Sequence, residues 1–136
     1  MGAHGGPDGV TDGLMLALDA GNTKSYPKTG TTWFDLSGND FDTALGNSPT
    51  YSATNQGIFT FNGSNQFADS PAITGITSNW TVCIWFYPTS VSNYENPIDC
   101  NYAYPGSSGN IGPRLEMNSS GAVSYTHLTL PTNREV

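Results

Sequence analysis

The clearest pattern of apolar and polar positions lies in the stretch "NWTVCIWFYPTS", residues 79–90. An apolar run of this length is typical of a β-strand, in which successive side chains point to opposite faces. One face would carry the apolar side chains of Val82, Ile84 and Phe86. The opposite face would carry Thr81, Cys83, Trp85 and Tyr87. Because both faces hold large side chains, the pattern predicts a central strand, which Pro88 would end.

A second alternating stretch, "GIFTFNGSNQFADS", predicts a β-hairpin over residues 57–70. Phe59 and Phe61 alternate with Ile58 and Thr60 on the first strand. The residues "NGSN" would form the turn and "QFADS" the returning strand.

Three weaker stretches complete the pattern. "GLMLALDA", Gly13–Ala20, places three leucines on one face at period two and predicts a strand, although its Leu, Met and Ala content also permits a helix. "ENPIDCNYAY" and "PRLEMNSS" are further strand candidates, and "KTGTTWFDLSGNDFD" is a turn-rich loop. Short strands without intervening helices predict an all-β fold, an antiparallel β-sandwich or jelly roll.

Composition narrows the classes of partner. The 136 residues suit one domain, and charged residues form 11% of the chain, against about 25% in a typical soluble domain. The net charge is −7, with only four scattered basic residues, so neither nucleic acid nor an anionic membrane is an expected partner. No apolar run approaches the roughly 20 residues that span a bilayer, and the N-terminus lacks an apolar signal segment.

The two cysteines indicate neither a metal cluster nor a disulfide framework. One bridge between Cys83 and Cys100 is an alternative. Side-chain parity, however, places Cys83 outward and Cys100 inward, which favours two separate thiols.

The order of the motifs resembles that of laminin G-like jelly-roll modules of the concanavalin A-like lectin/glucanase superfamily. Those modules run from an Asp-x-Ser-Gly-Asn loop to a Phe-[Asp/Asn]-Gly hairpin, a strand ending in Trp-x-x-Pro and an Arg-Leu-Glu strand. The opening "VTDGLMLALDAGNTKSYP" is similar to the form found in structural proteins of tailed bacteriophages. The matching residues here are Asp35, Ser37, Gly38 and Asn39; Phe61, Asn62 and Gly63; Trp85 and Pro88; and Arg114, Leu115 and Glu116.

The resemblance implies a two-sheet sandwich that is usually longer than the portion matched here, so we expect a jelly roll truncated at its C-terminal end. The ending "VSYTHLTLPT" resembles one reading frame through a transposase-based sequencing adapter. We therefore expect a flexible segment over 1–12, a partial jelly-roll domain over 13–122 and a non-native tail over 123–136. The alternative is a genuine strand, which the Val, Tyr, Thr and Leu content permits.

Catalysis is not expected. Retaining glycosidases hold two carboxyl groups roughly 5 Å apart, and related glucanases carry them as Glu-x-Asp-x-Glu on one strand. Here Glu95 and Asp99 share a nominal parity but flank Pro97. His4 and His127 lie near the chain ends, where no catalytic triad is expected.

A carbohydrate-binding face is the favoured interpretation. Trp85 and Tyr87 share one face, which in a jelly roll is often the concave one, and an aromatic ring there can stack on a sugar. Asn62, Asn101 and Arg114 are the predicted polar contacts. The alternative is that Trp85 simply packs inside the fold.

Calcium is the candidate metal, and no other cofactor is expected. Some laminin G-like modules bind it, and "DLSGND" offers hard oxygen ligands from four residues, Asp35, Ser37, Asn39 and Asp40. The alternative is that these side chains satisfy the backbone of a turn.

Together these observations predict a non-enzymatic carbohydrate-binding or adhesion module of a phage virion, in a tail or fibre. Its partner would be a cell-surface glycan or another virion protein. The alternatives are a structural decoration domain acting through protein–protein contacts, or a fragment of a secreted, extracellular bacterial glucanase-like protein.

Overall fold

The structure is a computed structural model, and it describes residues 12–73, 81–90, 95–99, 114–117 and 123–126. The chain divides into two compact units, Met1–Trp80 and Thr81–Val136, which are described separately below. Every β-ladder among the described residues is antiparallel, and the sole helical element there is a single 3-10 turn, Thr54–Gln56. The all-β class predicted from the sequence is therefore confirmed.

The first unit contains two small sheets. Its described residues form the strands β1 (Thr32–Trp33), β2 (Thr43–Gly46), β3 (Thr50–Ser52), β4 (Ile58–Thr60) and β5 (Phe67–Asp69). One sheet has the order β1-β2-β5, and the other pairs β3 with β4. The sequence analysis did not identify β2 or β3, since each is only three or four residues long with a single large apolar side chain.

Strand β2 forms the centre of the three-stranded sheet. Thr43 and Leu45 are buried and Ala44 between them is exposed, as the two-residue period of a strand requires. Gly46 lies opposite Phe67 in the ladder, and the Phe67 ring covers it so closely that a Cβ atom there would clash with the ring. An aromatic side chain over a strand glycine replaces the packing that the glycine lacks.

Aromatic rings join the two sheets of the first unit. The ring of Phe59 on β4 lies 4.7 Å from Tyr26, 4.8 Å from Trp33 on β1 and 5.5 Å from Tyr51 on β3, between centroids. The Phe61 ring lies 6.4 Å away. Tilted and edge-on pairs at such distances contribute about 0.5–1.5 kcal/mol each beyond the area that they bury. Phe59, itself half-buried, is therefore the centre of this aromatic cluster.

The predicted hairpin over residues 57–70 is corrected in its pairing. Both of its strands exist, as β4 and β5, but β4 pairs with β3 and β5 pairs with β2. The six-residue connection between β4 and β5 is longer than the tight turns that keep consecutive strands paired. Strands β4 and β5 therefore enter different sheets.

The predicted strand at Gly13–Ala20 is also corrected, because these residues belong to no ladder. They do not form a helix either. Several of their backbone groups bond instead to the loop that follows β1: Leu36 N–H donates to Ala17 O at 2.8 Å, and Ala17 N–H donates to Asp35 Oδ1 at 2.9 Å. Hydrogen bonds with this loop take the place of a ladder with a neighbouring strand.

In the second unit the described strands are β6 (Glu95–Asp99), β7 (Arg114–Met117) and β8 (Val123–Thr126), in that order across one sheet. The predicted strands around "ENPID" and "RLEM" are confirmed. The ladder between β6 and β7 shifts register between Glu95 and Ile98, next to Pro97, which has no N–H to donate. Met117 is buried.

The strongest predicted strand is not found. Residues 81–90 belong to no ladder, and all ten are exposed. The prediction of a central strand was wrong because alternation describes the faces of a segment but cannot supply the neighbouring backbone that makes it a strand.

The predicted segments at the two chain ends, 1–12 and 123–136, lie only partly within the described residues. Of the segment 1–12, only Asp12 lies within the described residues. Residues 123–126 of the predicted non-native tail pair with β7 from Met117↔Val123 to Arg114↔Thr126. A genuine strand would pair in this way, but so would any β-prone peptide, so the origin of the tail stays a prediction. Within the described residues no helix could cross a lipid bilayer.

We expect Phe59→Ala to lower the free energy of unfolding by about 2–3 kcal/mol, because it removes the ring that four other aromatic side chains contact. Ile58→Ala is the matched control, since Ile58 is the adjacent residue on the same strand and is exposed. Urea denaturation followed by fluorescence measures both. Equal losses in the two variants would contradict a core centred on Phe59.

Candidate functional site

The most exposed large side chains of the described chain are Trp85 and Tyr87. Trp85 is 95% exposed and Tyr87 is 87% exposed. The alternate residues Val82, Ile84 and Phe86 are only 38–45% exposed. Trp85 and Tyr87 are therefore more exposed than the three residues of the other predicted face, although the segment is not part of a sheet.

This pair presents two aromatic rings and two polar groups to solvent. Each ring offers an apolar face, and the indole N–H and the phenol O–H provide hydrogen bonds at its edge. Large aromatic surface is costly to leave in water, so an exposed pair of this kind marks a place where a ligand or partner can bind. In this chain Trp85 does not pack inside a core.

The other predicted carbohydrate contacts are Asn62, Asn101 and Arg114. Asn62 lies in the first unit, on the loop between β4 and β5, and its side-chain amide is hydrogen-bonded within that loop. Asn101 lies outside the described residues, and of Arg114 only the backbone is described, on β7. These three contacts stay predictions.

A second group of predicted residues is assembled around the Asp35 carboxylate, which we call the Asp35 clasp. Its Oδ1 atom accepts hydrogen bonds from Ala17 N–H and Ser37 N–H, both at 2.9 Å. Its Oδ2 atom accepts from Ser37 Oγ at 2.6 Å and from Phe41 N–H at 3.2 Å. Asp42 Oδ1 in turn accepts the Asp35 N–H at 2.8 Å.

Ser37 and Asn39 extend the clasp to the segment before it. Asn39 Nδ2 donates to Leu14 O at 2.9 Å and to Met15 O at 3.1 Å, and lies 3.0 Å from Ser37 Oγ. Gly38 between them has a φ of +88°, a conformation that glycine adopts without strain. The spacing of Asp35, Ser37 and Asn39 at every second residue lets all three side chains contact the same neighbouring segment.

The clasp bears directly on the predicted calcium site. Both oxygens of Asp35 already accept two hydrogen bonds each from the protein, which fills the usual acceptor capacity of a carboxylate. Asp40, the fourth predicted ligand, is exposed and has a φ of +59°. Among the described residues no three His, Cys, Asp or Glu side chains lie close enough to hold a metal ion. Calcium binding here stays a prediction, and the observed contacts are those of a structural turn.

Two opposing effects act on the pKa of Asp35. Burial raises it, whereas the hydrogen bonds from Ser37 Oγ and from the N–H groups of Ala17, Ser37 and Phe41 lower it. The hydrogen bonds outweigh burial, and the net pKa lies below the ordinary aspartate value. The charged form of Asp35 is therefore the form that the fold stabilises.

Sequence reasoning missed Ser25, which is fully buried beside the clasp. Its Oγ atom accepts from Asp19 N–H at 3.1 Å and donates to Phe34 O at 2.6 Å, and its backbone carbonyl accepts from Phe34 N–H. It thereby joins the segment before it to the end of β1. A serine between "NTK" and "YP" carries no signal for burial in its immediate neighbours, since its side-chain partners lie six and nine residues away.

Cys83 carries a free thiol and is exposed, as its parity predicts, and Cys100 lies outside the described residues.

Comparisons of the chain with protein-family models, with curated protein sequences and with solved structures found no match. The candidate function therefore depends on the geometry and on the sequence motifs.

We expect Asp35→Asn to lower the free energy of unfolding at neutral pH by about 1–2 kcal/mol, because an amide nitrogen would face the Phe41 N–H. The folded-state pKa is depressed, so the contribution of the carboxylate is present above its unfolded pKa and is lost as the pH falls through the folded pKa. The variant should therefore lose less stability than the native chain between about pH 5 and pH 2.

Urea denaturation across that pH range measures the effect. Asp40→Asn is the matched control, since Asp40 is an exposed aspartate of the same loop and its positive φ suits asparagine. If the native chain and Asp35→Asn show the same pH dependence, the clasp does not contribute to acid sensitivity.

Proposed function

We propose that this chain is a non-enzymatic carbohydrate-binding module with a laminin G-like jelly-roll fold, serving adhesion in a tailed-phage virion. The observation that carries the binding role is the exposure of Trp85 and Tyr87, two residues apart, in a charge-poor chain. The order of the sequence motifs supports the fold family and the virion context. Antiparallel sheets joined by aromatic contacts agree with that family.

The chemistry of the pair suits a neutral sugar. An aromatic ring stacks on the apolar face of a pyranose, and the polar rim of the sugar needs hydrogen-bond partners nearby. The surrounding chain is rich in Asn, Ser, Thr and Tyr, which offer such partners. Since the net charge is −7, a strongly anionic glycan would be repelled.

A protein partner is the second candidate. Apolar side chains of the first unit are also exposed, and they are Phe34, Leu36, Ile58, Phe61 and Phe67. Exposed aromatic and aliphatic groups are enriched at the centres of protein–protein interfaces. A structural decoration domain would use such groups without any dependence on sugar.

The test is a glycan array probed with the full chain, followed by titration of each glycan that binds. We expect Trp85→Ala to weaken binding by at least about tenfold, which is about 1.4 kcal/mol, and Trp85→Phe to retain part of the affinity. Phe86→Ala is the matched control, because Phe86 lies on the less exposed face. Bound glycan should also protect tryptophan fluorescence from acrylamide quenching.

Two results would count against this function. If no glycan binds, the protein-partner role becomes the better account of the exposed side chains. If a glycan binds and Trp85→Ala retains full affinity, the binding site lies elsewhere on the chain.

A further inference from the structure

The loop between β4 and β5 holds one asparagine side chain in an unusual environment. Asn62 Oδ1 accepts three backbone hydrogen bonds, from Ser64 N–H at 3.0 Å, Asn65 N–H at 3.1 Å and Gln66 N–H at 3.3 Å. The Asn62 N–H donates to Gln66 Oε1 at 2.9 Å. We call these three N–H groups the Asn62 cradle.

The cradle is fixed to the rest of the first unit. Gln66 Nε2 donates to Asn47 O at 3.1 Å and to Ser48 O at 2.9 Å, both in the turn between β2 and β3. Asn47 Nδ2 donates back to Asn65 O at 2.5 Å. The three donors are therefore held in place, and their positions do not depend on the Asn62 side chain alone.

The residue that follows Asn62 leaves its nitrogen free. Gly63 has a φ of +65°, is exposed, and has no neighbouring atom within 4 Å of the place where a Cβ would lie. Among the described residues no acceptor takes the Gly63 N–H. Water and base can reach this nitrogen, and no side chain hinders its approach to the neighbouring amide carbon.

We propose that Asn62 is a site of spontaneous deamidation in the folded protein and that the Asn62 cradle promotes the reaction. The Gly63 nitrogen loses its proton to base and attacks Asn62 Cγ, so that a new C–N bond closes a five-membered succinimide. The bond from Cγ to Nδ2 breaks, and Nδ2 leaves as ammonia after taking up a proton. Water then opens the ring to aspartate or isoaspartate, and no oxidant or reductant is needed.

The cradle acts at the step in which negative charge develops. When the nitrogen attacks Cγ, charge accumulates on Oδ1, the atom at which the three N–H groups point. Donors placed where charge develops stabilise a transition state, as in an oxyanion hole. The aspartate product keeps the same three donors, now as stronger, charge-assisted hydrogen bonds.

The experiment compares the folded chain with the same chain unfolded in urea, at one mildly alkaline pH and temperature. Peptide mapping by mass spectrometry follows the conversion of the amide to a carboxylic acid at each asparagine. Asn65 is the internal control, because it lies in the same loop and precedes Gln66, whose side chain hinders ring closure. We expect Asn62 to convert faster than Asn65, and faster in the folded chain than in the unfolded chain.

Conversion of Asn62 in the folded chain at or below its rate in urea would overturn the proposal, because the cradle would then not promote the reaction. Gly63→Ala tests the chemical route, and it should slow conversion by at least about tenfold. Its reading in urea does not depend on folding of the variant. Conversion of Asn62 in Gly63→Ala at the native rate would exclude attack by the nitrogen of residue 63.

Discussion

The first unit depends on the contact of Phe59 with the rings of Tyr26, Trp33 and Tyr51. Its strands are only two to four residues long, and ladders of that length contribute too few hydrogen bonds to stand alone in water. The aromatic rings supply the apolar burial that the short strands lack. Since Trp33 belongs to one sheet and Phe59 to the other, the same contact also joins the two sheets.

The Asp35 clasp provides a second kind of constraint, made of polar groups. A segment that reads as a strand, Gly13–Ala20, obtains its hydrogen bonds from a turn and not from another strand. A carboxylate that accepts four hydrogen bonds can hold two distant stretches of backbone together in a chain with few ion pairs available. The Asn62 cradle repeats this solution with an amide, whose Oδ1 atom accepts three backbone hydrogen bonds.

The exposed aromatic pair belongs to the second unit. Trp85 and Tyr87 contribute little to packing within the described chain, so their exposed area is available to a ligand. The alternation that predicted a buried strand instead separates a strongly exposed face from a less exposed one.

Local patterns determined which residues favour extended backbone and which favour turns. The all-β class, β4, β5, β6 and β7, the turn chemistry of Asp35, Ser37 and Asn39, and the outward side of Trp85 could all be predicted from the sequence, because each depends on side-chain period or on bonds to nearby backbone. Tertiary structure decided the partners. The pattern within a segment does not specify whether β4 pairs with β5 or β3, or whether residues 81–90 join a sheet. Nor does it specify the burial of Ser25, because each of these features depends on contacts with other segments.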